Sequence, residues 1–265
     1  MEINLKETHE ELLILLKEFH KICEENSICY SLHGGTLLGA IRERGFIKWD
    51  DDADITLTRA EFEKLRKVLI SEGLGSEFRF DETSRFPKFI MKREGKHAVW
   101  TDLFIYDFIS EKPLVRKIKL LTNYFFVLFT RTKEEQQLSN IHGLYKGLKK
   151  FAMNAIVFVG NLFPMKLRLK WARANMQSFG GKKLFIHRAN DQFVGIHHTL
   201  KKEVMDNYIL TEFCDTELMV SAKYHDILVS SYGENYMTPR KDKPDDMHAI
   251  TFKAEQEGFE RLYND

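Results

Sequence analysis

HGGTLLGAIRERGFIKWDDDADITL, residues 33–57, joins a glycine-opened helix to a run of aspartates, and the rest of the chain is read outward from it. Upstream, Ile28, Tyr30 and Leu32 alternate as a strand does; downstream, Leu37, Leu38 and Ile41 recur at helical spacing. Between them, Gly34-Gly35 has no side chain to hold a ligand away from the backbone. With Thr36 as cap, a helix starting there points free N–H groups and the positive end of its dipole outward, which favours a bound phosphate. Gly45, just after Arg44, is the predicted stop. Asp50, Asp52 and Asp54 then alternate with Asp51, Ala53 and Ile55, so an extended chain sets three carboxylates on one face about 6 to 7 Å apart. Like charges that close call for a divalent cation that prefers oxygen ligands. Charge runs are more often solvated loops or structural Ca²⁺ sites. Trp49 before the run and Ile55 and Leu57 after it argue instead for a strand whose acidic face lines a pocket. A phosphate-binding helix beside such a row outlines a phosphoryl-transfer site with Mg²⁺ (or Mn²⁺) as cofactor.

The chain of 265 residues is 43% hydrophobic and 30% charged, the composition of a globular protein with a full core. Its three cysteines, Cys23, Cys29 and Cys214, match neither a metal-ligand spacing nor an even disulfide set, so a reducing cytoplasm is expected. The N-terminal residues are polar, without the apolar core of a signal peptide, and no apolar run approaches the roughly 18 residues of a membrane span. A net charge of +1 hides an asymmetry: residues 112–183 hold 15 Lys+Arg against 2 acidic residues, while the remainder of the chain is acidic.

Thr8-x-x-Glu11 reads as a capping box before a helix in which Leu12, Leu15, Leu16, Phe19, Ile22 and Cys23 recur at helical spacing, and Thr58-x-x-Glu61 as a second box before a helix with Phe62, Leu65, Val68 and Leu69 inward. Helix and strand alternate over this stretch, an α/β order. Residues 88–92 and 96–108 form a predicted hairpin turning at Glu94-Gly95, with Trp100, Asp102, Phe104 and Tyr106 on one face of the second arm. Within residues 112–183, two apolar segments, 120–129 and 151–163, are bordered by lysine and arginine. A helical lobe accounts for the apolar content but not for the excess charge, which suits an anionic membrane surface. Nucleic acid would also attract that charge, yet no recognition motif accompanies it, so no nucleic-acid partner is expected. The predicted organisation is a catalytic core over residues 1–111, a basic, mainly helical insert over 112–183, and a C-terminal helical segment over 184–265 packing on the core.

GGTLLGAIRERGFIKWDDDADI resembles the signature of the LicD family, which includes phosphocholine transferases of bacterial surface glycans and, more distantly, fukutin-related proteins. The resemblance implies a DNA polymerase β-like nucleotidyltransferase core, α/β (α+β) in class, with a small mixed sheet flanked by helices. In that superfamily a small-residue turn precedes a strand carrying Asp-x-Asp, which Gly35-Thr36 and Asp52 with Asp54 match. It implies catalytic roles for Asp52, Asp54 and Asp102, metal ligation by Asp50, Asp52, Asp54 and Asp102, and phosphate binding by Gly34, Gly35, Thr36, Arg42 and Lys92. Lys48 departs from the pattern, standing where the family usually has proline. Tyr224, Leu228, Tyr232, Gly233, Tyr236, Met237 and Pro239 resemble the family's C-terminal helix and turn; the basic residue usual before His248 is absent.

The resemblance further implies transfer of a phosphorylated alcohol from a CDP-linked donor, such as CDP-choline, to a hydroxyl of a surface glycan, the acceptor being lipid-linked. Trp49, Trp100 or Tyr106 would offer a cation-π face to choline, core packing being the competing role for each. The expected location is the cytoplasm, peripheral on the inner face of the membrane. Two other readings stay open at this point: a nucleotidyltransferase that attaches the nucleotide itself, and a non-catalytic membrane-surface protein of the same fold.

Overall fold

Helix α1 covers Leu5–Glu25, with Leu12, Leu15, Leu16, Phe19 and Cys23 buried as their spacing predicts. Thr8 does not cap it, because the helix is already under way there; Glu11 serves a tertiary contact instead, receiving Arg93 at 3.3 Å. This computed structural model describes residues 5–71, 73–141, 146–191 and 195–239. The chain divides into two units, one of residues 1–81, 88–103 and 204–265, the other of 82–87 and 104–203.

In the first unit α1 is followed by β1 (Ser31–Leu32), α2 (Gly34–Glu43), β2 (Ala53–Thr58) and α3 (Arg59–Ser71). Thr58 caps α3 as predicted, its Oγ1 accepting the Glu61 N–H at 3.3 Å. The Glu61 carboxylate makes a long-range bond rather than closing the box, accepting the Cys29 N–H at 2.9 Å. Next come β3 (Phe78–Asp81), β4 (Lys88–Met91) and β5 (Val99–Ile109), in sheet order β1-β2-β5-β4-β3. The β4–β5 hairpin is the predicted one, with Gly95 at φ 73° in its turn. The pairs β1–β2, β3–β4 and β4–β5 are antiparallel, and the sheet with its interspersed helices is a mixed α/β arrangement. Phe19, Tyr30 and Phe89 meet edge to face in the core, ring centroids 5.3 and 5.6 Å apart.

Residues 208–221 depart from the predicted C-terminal helical segment. They form an antiparallel hairpin, β8 (Tyr208–Phe213) and β9 (Thr216–Ser221), before α8 (Tyr224–Tyr232). Leu218 and Val220 alternate inward on β9, and its backbone is held by β1: Ser221 N–H donates to Ser31 Oγ (3.0 Å). Gly233 follows α8 at φ 82°, and Tyr236 is buried with its hydroxyl on His225 Nδ1 (3.0 Å). His248 lies outside the described residues.

Besides residues 82–87, the second unit takes the chain from Phe104, inside β5, rather than from the compositional break at residue 112. Here β6 (Phe185–Arg188) pairs antiparallel with β5, Tyr106 opposite Arg188, and β7 (Thr199–Lys201) pairs with β6. The insert's described residues include four helices, α4 (Pro113–Phe129), α5 (Lys133–Ile141), α6 (Gly147–Gly160) and α7 (Met165–Met176). Among the described residues no helix is long and apolar enough to cross a membrane.

Candidate active site

The start of α2 and the start of β2 are clipped together at one residue. Asp54 donates its N–H to Thr36 Oγ1 (2.9 Å) and accepts the His33 N–H on its carbonyl (2.9 Å). Thr36 therefore does not cap α2. The helix begins two residues earlier, at Gly34, with His33 in the cap position but giving α2 no side-chain capping bond, and the threonine hydroxyl ties the strand instead. The helix's far end also differs from expectation. The left-handed residue is Arg44 (φ 54°), donating its N–H to Gly39 O, and not Gly45.

Both opening glycines lie against carboxylates. A Cβ on Gly34, itself at φ 52°, would come 2.8 Å from Asp54 Oδ2, and one on Gly35 would come 2.1 Å from Asp50 Oδ2. No larger residue fits at Gly35 without moving Asp50, which explains this dipeptide more specifically than turn chemistry does. The first N–H groups of α2, at its positive end, thus open beside carboxylates.

The aspartates are not a row on one strand. β2 begins at Ala53, so only Asp54 is on it, while the Asp50 N–H closes a turn onto Ile47 O (3.0 Å) and gathers Asp50, Asp51 and Asp52 ahead of the strand. One carboxylate oxygen from each of these three lies within 4.8 Å of the others, all half-buried. Asp51, which strict alternation assigns to the opposite face, is a member of the cluster. Burial and the charge of Asp51 push the Asp50 carboxyl up to about 6, and a hydrogen bond with Asp52 only partly opposes this. The turn is braced from α1: His9 donates from Nε2 to the Asp50 carbonyl at 2.6 Å while its ring stacks on Phe46, centroids 4.6 Å apart.

Asp102 sits on β5, the strand next to β2, outside the three-aspartate cluster. Its direct cross-strand partner is Lys88, whose Nζ donates to Asp102 Oδ1 at 2.6 Å and lies 4.9 Å from the centre of the Trp100 ring. Lys88 was invisible to sequence reasoning because its role depends on the register of a hairpin. So was His9, whose reach depends on how α1 packs.

Several predicted residues stand elsewhere. Arg42 is in the last turn of α2, about 12 Å along the axis from Gly34 at 1.5 Å per residue. Its guanidinium is occupied by Glu43 (2.8 Å) and the Tyr236 carbonyl (3.4 Å), so it does not belong with the phosphate-binding residues. Tyr106 belongs to the second unit and is buried, its hydroxyl pushed up to about 12 by that burial. Trp100 is buried beneath Lys88 and already gives its ring to that ammonium. Trp49 is 47% exposed in the turn beside Asp50 and keeps a face for a ligand. Lys92 is half-buried and continues the pairing past β4, its N–H on Glu77 O at 2.8 Å.

Residues 27–134, which include the glycine turn, the aspartates and the β4–β5 hairpin, match the family model described as the LicD/FKTN/FKRP nucleotidyltransferase domain. The chain is 27% identical over 268 aligned positions to the lipopolysaccharide cholinephosphotransferase LicD of Haemophilus influenzae, covering 91% of this chain and 94% of that protein. It is 31% identical over 100 positions to an uncharacterized protein of Rickettsia prowazekii, covering 35% of this chain and 38% of that one.

Proposed function

With a LicD-family domain as the premise, we propose that this chain transfers a phosphorylated alcohol, phosphocholine in the first instance, from a CDP-linked donor to a hydroxyl of a cell-surface glycan. The observation that carries the proposal is the approach of the α2 N-terminus to Asp50 and Asp54, which sets anion-binding N–H groups beside a carboxylate cluster within one small site.

The donor set suits a divalent ion of the Mg²⁺ or Mn²⁺ kind. It consists of carboxylate oxygens alone, and their mutual repulsion, visible at Asp50, is what a cation relieves. Asp50, Asp51 and Asp52 are the residues whose gathered oxygens would hold it, with Asp54, at the same helix start, as a further ligand. A bound metal would neutralise charge on the donor's diphosphate and ease ionisation of the attacking hydroxyl. The chain's own part is orientation. The N–H groups at the start of α2 hold diphosphate oxygens, Thr36 locks that helix start to the acidic strand, and Lys88 fixes the Asp102 carboxylate. The exposed ring of Trp49 is available to the quaternary ammonium of a choline donor. In the reaction the acceptor oxygen forms a bond to the phosphorus bearing the alcohol, the bridging P–O bond breaks, cytidine monophosphate leaves in line, and the hydroxyl proton is lost from the acceptor.

A panel of CDP-linked donors, with cytidine monophosphate release as readout, tests this. CDP-choline should turn over with the wild type and not with Asp54→Asn; release of free nucleotide from no donor would refute the proposal. The nucleotidyltransferase description of residues 27–134 supports a second reading, in which the nucleotide itself is attached. A donor labelled with ³²P on the phosphate next to the nucleoside separates the two: label appears in free monophosphate in the first and in the acceptor in the second.

A further inference from the structure

Helix α4 is amphipathic the wrong way round for water. Its buried positions include Lys119 and Asn123, whereas Leu114, Ile118, Leu121 and Phe125 are 70, 41, 57 and 42% exposed. Their 4-3-4 spacing puts those four on one outward stripe. The inward lysine is structural: Lys119 Nζ donates to the carbonyls of Phe108 (2.6 Å), Met176 (2.7 Å) and Ser178 (2.7 Å). The outward apolar positions have no such explanation.

Helix α6 repeats the pattern. Met153 and Val157 pack inward with Leu128, while Leu148, Phe151, Phe158 and Leu162 at its outer side and C-terminal turn are 83, 72, 65 and 66% exposed. The two helices are in intimate contact, since a Cβ on Gly160 would come 2.2 Å from Phe129 O. An aromatic run joins the α4 stripe to α7: Phe125 stacks on Phe129 (5.2 Å), Phe129 lies 6.0 Å from both Phe163 and Trp171, and Phe163 meets Trp171 at 5.4 Å. Phe125, Phe163 and Trp171 are each 38 to 42% exposed, so the cluster itself reaches the surface. Lysines border these apolar positions, with Lys117 on α4, Lys149 on α6, and Lys166 and Lys170 on α7 all exposed. The only acidic residues from 112 to 183 are Glu134 and Glu135.

We infer that the outer side of α4, α6 and α7 lies on an anionic lipid bilayer, its leucine and phenylalanine side chains in the interface and its lysines among the headgroups. Charge complementarity selects this occupant. A second copy would bring together two surfaces that each carry the exposed Lys117, Lys149, Lys166 and Lys170, and an acidic glycan would match the lysines but leave leucine and phenylalanine in water. At 17 and 14 residues, α4 and α6 extend about 26 and 21 Å, short of the roughly 30 Å hydrocarbon core, so they lie in the interface rather than cross it. One basic residue of the insert is excluded from this role. Arg168 is buried, donating to the carbonyls of Phe129 and Arg131 (both 3.2 Å), and so is structural like Lys119.

The test is cosedimentation of the full chain with phosphatidylcholine vesicles, with and without phosphatidylglycerol, at low and high salt. Binding should require the anionic lipid and weaken as salt shortens the screening length. The combined Lys117→Gln, Lys149→Gln, Lys166→Gln, Lys170→Gln variant should bind several-hundred-fold more weakly, about fivefold per lysine, from the ~1 kcal/mol each gains at an anionic surface. Leu121→Gln with Phe151→Gln should also weaken binding, with an unchanged melting temperature because both side chains are already exposed. The inference is overturned if anionic vesicles pellet no more protein than neutral ones. It is overturned equally if the lysine variant binds as the wild type does, or if the leucine and phenylalanine changes abolish self-association while leaving vesicle binding intact. None of these readouts depends on transferase activity.

Discussion

Replacing Gly35 with alanine should damage the site while sparing the fold. The new Cβ would fall 2.1 Å from Asp50 Oδ2 and 3.1 Å from its Cγ. A carbon and an oxygen at ordinary contact are roughly 3.3 Å apart, so the carboxylate must move by about 1.2 Å. Overpacking costs about 1 to 3 kcal/mol, and alanine's helical advantage over glycine returns about 0.5 to 1, which leaves a net loss of about 0 to 2.5 kcal/mol. The site cannot absorb the same shift. Asp50 shares a cluster with Asp51 and Asp52 whose oxygens are within 4.8 Å, and a misplacement of about 1 Å costs on the order of 10²-fold in rate. Thermal melts, Mn²⁺ titration by calorimetry and cytidine monophosphate release should therefore show a small stability change, weakened metal binding and turnover lowered about 10²-fold. Gly75→Ala is the control, since its Cβ would meet only Phe78 Cδ2 at 3.8 Å, and it should leave all three measurements alone. Wild-type metal affinity and turnover in Gly35→Ala would refute the placement of Asp50 in the working site.

Asp52→Asn removes one of three crowded charges, so the metal-free variant should melt no lower than the wild type, and turnover should fall by about 10³-fold or more. Added Mn²⁺ should raise the wild-type melting temperature and not the variant's; stabilisation of both would show the ion binding elsewhere. Lys88→Met leaves the half-buried Asp102 without its 2.6 Å partner and should cost about 2 kcal/mol of stability, read by denaturant titration. Asp102→Asn should lower turnover far more than Asp107→Asn, and equal mild effects would make this strand scaffold only. His187 is fully buried, with Nδ1–H on the Ile196 carbonyl (3.1 Å) and no hydrogen-bond partner for Nε2 among the described residues. Burial, then the nearby Lys119 and Arg116 with His197, push it down to about 3, whereas the unfolded chain takes up the proton near 6.5. The native state is thus favoured above about pH 6.5 and loses ground as pH falls toward 3, by up to ~1.4 kcal/mol per pH unit from this group. His187→Gln should show a shallower decline than the wild type over that window in stability measured against pH, and identical slopes would contradict the assignment.

What the sequence determined by itself is what local chemistry can specify. The inward faces of α1 and α3, the Thr58 cap and the Gly95 hairpin were legible because each depends on residues a few positions apart, where helical or strand period and turn preference decide. The pairing of a glycine-opened helix with an acidic run was legible for the same reason, and it marked the candidate site. The details within the site were settled by contacts across the chain. Thr36 and Glu11 gave up capping roles to bonds with Asp54 and Arg93, since a side chain with a geometrically sound distant partner need not serve its own helix end. The turn at Ile47–Asp50, braced by His9, converted an expected alternating row into a compact trio and brought in Asp51. Strand register alone put Lys88 opposite Asp102, and helix packing alone turned Lys119 and Arg168 inward while leaving leucine and phenylalanine outside. A one-dimensional pattern records which residues can share a face, but which face meets which neighbour depends on burying the whole chain at once, and that is a property of the tertiary structure.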